Sequence, residues 1–219
     1  MERTPRRIIG VDLSGPTNIA NTVLVAFDAF SGGLRLTNVI DGAGDEAIWR
    51  FVYDTEPGIP VSIGLDAPLS YQPGGGDRPG DAALRRAAIA AGLPPGSIMP
   101  PTLNRMSYLT LRGISVARGL RLSDGSAPSI VEVHPGAVMA LGGAPIDDVR
   151  SFVHHAGARK RLLNWLESQA VTGIDRIDSP SDHYVAACAA ALGAWKWSDG
   201  RSSWRWPSDP PTHPFEFVA

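Results

Sequence analysis

The sequence is short of several things, and each shortage excludes a class of protein. It has one cysteine, Cys188, in 219 residues. An intrachain disulfide and a cysteine-based zinc site are therefore ruled out. No apolar run approaches the ~20 residues of a membrane-spanning helix, because Gly, Asp or Pro interrupts each one. Arg3, Arg6 and Arg7 lie near the start, but the apolar run behind them stops at Asp12. A signal peptide is not expected, nor a membrane partner, and a cytoplasmic location follows as the default. Gly74-Gly75-Gly76 lacks the Gly-Lys-Ser/Thr ending of a phosphate loop and reads as a flexible loop. From Ala82 to Ser123 there is no acidic residue. Internal repeats and a dividing linker are also missing, so residues 1–219 are expected to form one domain.

What is present is ordinary globular composition, 43% hydrophobic and 19% charged, with a net charge of −2. That small charge hides an asymmetry. Residues 1–81 carry eleven acids against six bases, whereas the acid-free stretch carries Arg85, Arg86, Arg105, Arg112, Arg118 and Arg121. One basic segment in an acidic chain is either an anion-facing surface or a set of partners for acids elsewhere.

The periodicity predicts an α/β chain. Arg7–Asp12 reads as a short buried strand, followed by a hairpin of Thr22–Phe27 and Leu34–Ile40 around Ser31-Gly32-Gly33. A helix over Asp45–Asp54 leads to a fourth strand, Val61–Leu65. Residues of about 67–129 are expected to be an insertion with helices near 80–91 and 104–121, before a fifth strand at Ser129–Val133. Helices follow at about 146–169 and 182–195, and the tail from about 198 to 219 is expected to be irregular.

Four carboxylates stand where an acid is hard to explain by local structure alone. Asp12 ends the run Ile8-Ile9-Gly10-Val11, and Asp66 ends Val61-Ser62-Ile63-Gly64-Leu65. Glu132 sits between Val131 and Val133, and Asp182 opens an alanine-rich helix. Carboxylates are seldom buried without a partner or a metal. Parallel first and fourth strands side by side would gather such acids at their C-terminal ends, where ligands of open α/β sheets bind. Oxygen donors of this kind suit Mg²⁺ or Mn²⁺, and two such ions ~3.5–4 Å apart can drive phosphodiester hydrolysis. Each acid also has a local reading: Asp12 as a turn cap, Asp66 as a ligand for nearby amides, Asp182 as part of a helix cap beside Ser181.

The segments Ile9-Gly10-Val11-Asp12-Leu13-Ser14-Gly15, Gly64-Leu65-Asp66-Ala67-Pro68-Leu69, Arg78-Pro79-Gly80-Asp81, Val131-Glu132-Val133-His134-Pro135-Gly136-Ala137 and Asp182-His183-Tyr184-Val185-Ala186-Ala187 resemble the DUF429 family. The resemblance runs from Ile8 to about Trp197. It implies a ribonuclease H-like fold: a mixed five-stranded sheet in the order β-β-β-α-β-α-β-α, with the helical insertion between strands four and five. It also implies a metal-dependent nuclease with Asp12, Asp66, Glu132 and Asp182 as catalytic and metal-holding residues. His183 departs from the small or acidic residue that many members have after the helix acid.

Substrate contacts are expected from Arg78 at a helix start, from Arg105, Arg112 and Arg118 in the arginine-rich insertion, and from His134 on the fifth strand. The partner so implied is nucleic acid, DNA or RNA. Gly10-Val11-Asp12 to Phe27-Asp28 also resembles the first phosphate hairpin of actin-like and sugar-kinase ATPases, which is an alternative reading. A non-catalytic binding module that keeps the fold is a third. The Trp195, Trp197, Trp204 and Trp206 cluster fits a segment sealing the core better than a base-stacking platform.

Overall fold

A computed structural model describes residues 6–122 and 127–219. The basic start Met1–Pro5 and residues 123–126, at the end of the expected insertion, lie outside the described residues. The strands are β1 (Arg6–Asp12), β2 (Val23–Phe30), β3 (Gly33–Asp41), β4 (Val61–Asp66), β5 (Ser129–Val133), β6 (Val171–Thr172), β7 (Arg205–Trp206) and β8 (Phe217–Val218). The helices are α1 (Asp45–Tyr53), α2 (Pro79–Ala90), α3 (Met106–Arg121), α4 (Pro135–Leu141), α5 (Ile146–Ser151), α6 (Ala156–Ser168) and α7 (Asp182–Ser198). Among the described residues, no helix is long and apolar enough to cross a membrane.

All eight strands join one mixed sheet in the order β6-β3-β2-β1-β4-β5-β8-β7. The five expected strands are its centre, with β1, β2 and β3 antiparallel and β1, β4 and β5 parallel. Three two-residue strands extend it. The tail is therefore not irregular throughout, since β8 pairs parallel with β5 and β7 antiparallel with β8. The expected 146–169 helix is two helices. Arg159 Nη1 donates to the carbonyl of Phe152 at 2.8 Å, satisfying the end of α5 before α6 has run a full turn. Helix α4 follows β5 directly because Pro135 suits a first helical position and the His134 side chain caps it.

Side chains alternate across the sheet. Ile8, Val25, Phe27, Val131 and Val133 join α4, α6 and α7 on one face. Ile9, Val11, Ile63 and Leu65 meet α1 and α3 on the other. Helix α7 is buried nearly all round, with a run of alanines from Ala186 to Ala194. It presses onto the two glycines of the central strands. A methyl group on Gly10 would lie 2.1 Å from the Ala187 carbonyl oxygen, and one on Gly64 would lie 2.5 Å from that of Ala190. Glycine in the strand and alanine on the helix are two halves of one close approach. Gly10→Ala is accordingly expected to cost about 3 kcal/mol, because the helix backbone must lift to admit the methyl. Chemical denaturation of parent and variant measures this, and an unchanged midpoint would contradict the packing.

Candidate active site

The close seating of α7 fixes the site. Asp12 and Asp66 are register partners at the C-terminal ends of adjacent parallel strands. Both fall on the pleat side of Gly10 and Gly64, facing α7. The N-terminus of α7 arrives there, capped by the Ser181 side chain, which accepts from the Tyr184 amide at 3.0 Å. His183 Nδ1 is 2.6 Å from Asp12 Oδ2, and Asp182 is close enough for its charge to act on Asp12.

The two buried carboxyls sit side by side, close enough for each to shift the titration of the other. Burial raises the Asp12 carboxyl, and the bond and charge of His183 partly offset this. Asp66 is raised much further, by burial first and then by the Asp12 charge beside it. Both carboxyls therefore hold a proton more readily than a free aspartate does, and Asp12 is 9% exposed. The bond to Asp12 raises His183, against a smaller opposing effect of burial. Asp12 thus stands between a carboxyl and an imidazole whose affinities for protons are both raised.

Both raised groups give stability of the same sign. The folded state binds the Asp66 and His183 protons more tightly than the unfolded chain does. That gain is present at low pH and is lost as pH rises through the elevated values, starting from 3.8 for Asp66 and 6.5 for His183. With chelator present, the melting temperature is expected to fall as pH rises above 6.5 and through the elevated Asp66 and His183 values, and Asp66→Asn to flatten the fall. Melts at several pH values check this; a rise over that range contradicts it.

Glu132 lies near this pair but is turned from it. Its neighbours Val131 and Val133 face α7, so the pleat sends Glu132 to the opposite side. There Arg78 clasps it, Nη1 donating to Oε2 at 2.7 Å and Nη2 to Oε1, and the Leu69 amide donates to Oε2 at 2.8 Å. Arg78 also donates through Nε and Nη2 to Asp81, at 3.0 and 2.7 Å, and through Nη1 to Ser70 at 3.1 Å. All five guanidinium hydrogens are engaged. The expected roles of Arg78 toward phosphate and of Glu132 toward metal therefore meet a closed ion network, which ties the 66–81 loop and α2 to β5.

The other expected substrate residues divide. Arg112 is buried, donating to Asp45 Oδ1 at 2.7 Å, to the Ser14 carbonyl at 2.8 Å and to Thr22 Oγ1 at 2.7 Å. It fastens α3 to the β1–β2 turn. His134 accepts from the Ala137 amide through Nδ1 and donates to the Ser97 carbonyl through Nε2 at 2.9 Å. Burial lowers its pKa, so it is a neutral tie between α4 and the insertion. Arg105 and Arg118 are exposed on α3, and among the described residues no carboxylate pairs with either.

A cleft of about 200 Å³ opens over Asp66, walled by Met99, Met106 and Leu109 from the insertion and by His134 from the end of β5. Among the described residues, no three His, Cys, Asp or Glu side chains are arranged to hold a metal ion. The donor set nonetheless fits one hard cation. Mg²⁺ commonly takes one or two carboxylates and completes its shell with water and substrate phosphate. Two aspartates that burial makes reluctant to ionise mark where such a cation would be electrostatically welcome. Two ions held partly by Glu132 do not fit, because both Glu132 oxygens are occupied. His183 is the site residue that the acid pattern passed over. Its signal was its place next to Asp182, one residue into a helix aimed at Asp12.

Fold and site together define an α/β protein with a paired-aspartate centre at the C-terminal ends of two parallel strands. The chain belongs to the family described as "Protein of unknown function (DUF429)", whose model matches residues 10–212. No curated protein and no solved structure matches it.

Proposed function

We propose that this chain is a metal-dependent phosphodiesterase acting on nucleic acid, built on a ribonuclease H-like framework. The observation that carries the reading is the Asp12–Asp66 pair, two register-matched buried carboxyls of which Asp66 lines a cleft. The order of the five long strands, with the hairpin on one side of β1 and the parallel strands on the other, supports the framework.

Asp12 and Asp66 would hold one Mg²⁺ or Mn²⁺, both carboxyls being ionised when it is bound. The ion would supply Lewis-acid polarisation of a phosphoryl oxygen and charge neutralisation. His183, part-exposed and held by Asp12 through Nδ1, keeps its other nitrogen for proton transfer. With its affinity for protons raised, it acts as the general acid for the leaving oxygen. Asp182 adds negative charge at the rim, and the Arg78–Glu132–Asp81 network holds the loop that carries Asp66.

The test is hydrolysis of bis(p-nitrophenyl) phosphate and of labelled DNA and RNA with Mn²⁺ or with chelator, alongside calorimetric Mn²⁺ titration of parent and Asp66→Asn. Ion-dependent hydrolysis, and Mn²⁺ binding that disappears with Asp66, are expected. Absence of both removes the reading.

A further inference from the structure

Helix α3 starts at the cleft and packs its other face into the core. Met106 and Leu109, in its first turns, line the cleft beside Asp66. Val116, Ala117 and Leu120 fill the core beneath β1 and β4. The face turned to solvent carries Tyr108, Leu111, Ser115 and Arg118, spaced three or four residues apart. Tyr108 is 61% exposed and Leu111 65%. The core side of the helix is already filled, so the fold itself gives these two side chains no packing.

Arg105 and Arg118 bracket the stripe. Thirteen residues separate them, roughly 20 Å along a helix. Neither is paired among the described residues, and no acid occurs between Ala82 and Ser123. An aromatic ring and a leucine between unpaired guanidiniums, with no carboxylate in the segment, complement a polyanion that also offers flat apolar faces. A single nucleic acid strand has both, whereas a duplex hides its base faces in the stack. The cleft that Met106 and Leu109 line begins where this face of the helix begins.

We infer that the solvent face of α3 is a track for single-stranded nucleic acid. Tyr108 stacks on a base, Arg105 and Arg118 neutralise phosphates, and the strand enters the cleft past Met106 and Leu109. This names the substrate form of the proposed phosphodiesterase and rests on that reading for what happens at the aspartates.

The experiment is fluorescence anisotropy with a labelled oligothymidylate and its duplex with oligoadenylate, in chelator, so that binding is read without hydrolysis. The single strand is expected to bind at least about tenfold more tightly than the duplex. Tyr108→Ala is expected to weaken single-strand binding about tenfold and leave its salt slope unchanged, as loss of one stacked base does. Arg105→Gln with Arg118→Gln is expected to flatten the slope of log K against log salt by about 1.4, from about 0.7 per phosphate contact. These side chains are exposed, and circular-dichroism melts confirm that the variants fold.

Equal or tighter duplex binding, or no effect of Tyr108→Ala, would overturn the track. So would a change in oligomeric state on Tyr108→Ala with binding unaltered, which assigns the face to a protein partner. Hydrolysis is scored separately. Binding as described without ion-dependent hydrolysis by the parent sinks the phosphodiesterase and leaves the track. Hydrolysis of bis(p-nitrophenyl) phosphate without strand binding does the reverse.

Discussion

Arg78→Ala is expected to lower folding stability by about 3–5 kcal/mol, the cost of leaving buried charges uncompensated. The guanidinium lies between Glu132 and Asp81, whose side chains are 5% and 2% exposed. Removing it leaves two carboxylates at the wall of the cleft with the Leu69 and Arg78 amides as their remaining donors. The loss is larger than hydrogen-bond deletion alone would give, because two nearly buried charges lose the cation that neutralised them. Glu132→Gln should cost less, since the amide keeps an acceptor and sheds a charge while Asp81 still neutralises Arg78. Urea unfolding of the parent and both variants measures the order. Arg78→Ala no worse than Glu132→Gln would show that the network is not what holds the loop.

Asp12→Asn is expected to do the opposite to stability and far more to activity. Without metal the variant should be at least as stable as the parent, because a desolvated charge beside Asp66 and Asp182 has been removed. The rise in melting temperature that Mn²⁺ gives the parent by binding the folded state should vanish. Ion-dependent hydrolysis should fall roughly a thousandfold, as loss of a charged group at the reacting centre does. A variant that keeps the Mn²⁺ shift places the ion elsewhere. One that binds Mn²⁺ normally and is inactive assigns Asp12 to orienting His183.

The sequence made some of this legible and hid the rest for physical reasons. Two short β-branched runs that each end in aspartate could be matched because both sit on central strands, where burial removes other excuses for an acid. Glu132 looked equivalent, but its partner Arg78 lies 54 residues away, and no local pattern marks a pairing at that separation. Its parity relative to Val131 and Val133 held the clue that it faces the other side. Arg112 reads as one of a basic series, yet it is a buried strap, donating to the Asp45 carboxylate and to a carbonyl and a hydroxyl in the β1–β2 turn. The edge strands β6, β7 and β8 are two residues each, too short for alternation to register. The turn between α5 and α6 depends on Arg159, a side chain outside the helix that it ends.

The seating of α7 on Gly10 and Gly64 has a consequence for amide hydrogen exchange. A helix covered on every side, with its strands equally covered, releases its amides only when the whole molecule opens. The α3 side of the cleft has one face in solvent and opens by smaller excursions. The two walls of the site are therefore expected in different exchange classes: the strands that end in Asp12 and Asp66 on the slowest, Met106 and Leu109 on a faster one. The approach to the aspartates would then open without the strands that carry them, so substrate entry and carboxylate spacing are governed by separate parts of the fold.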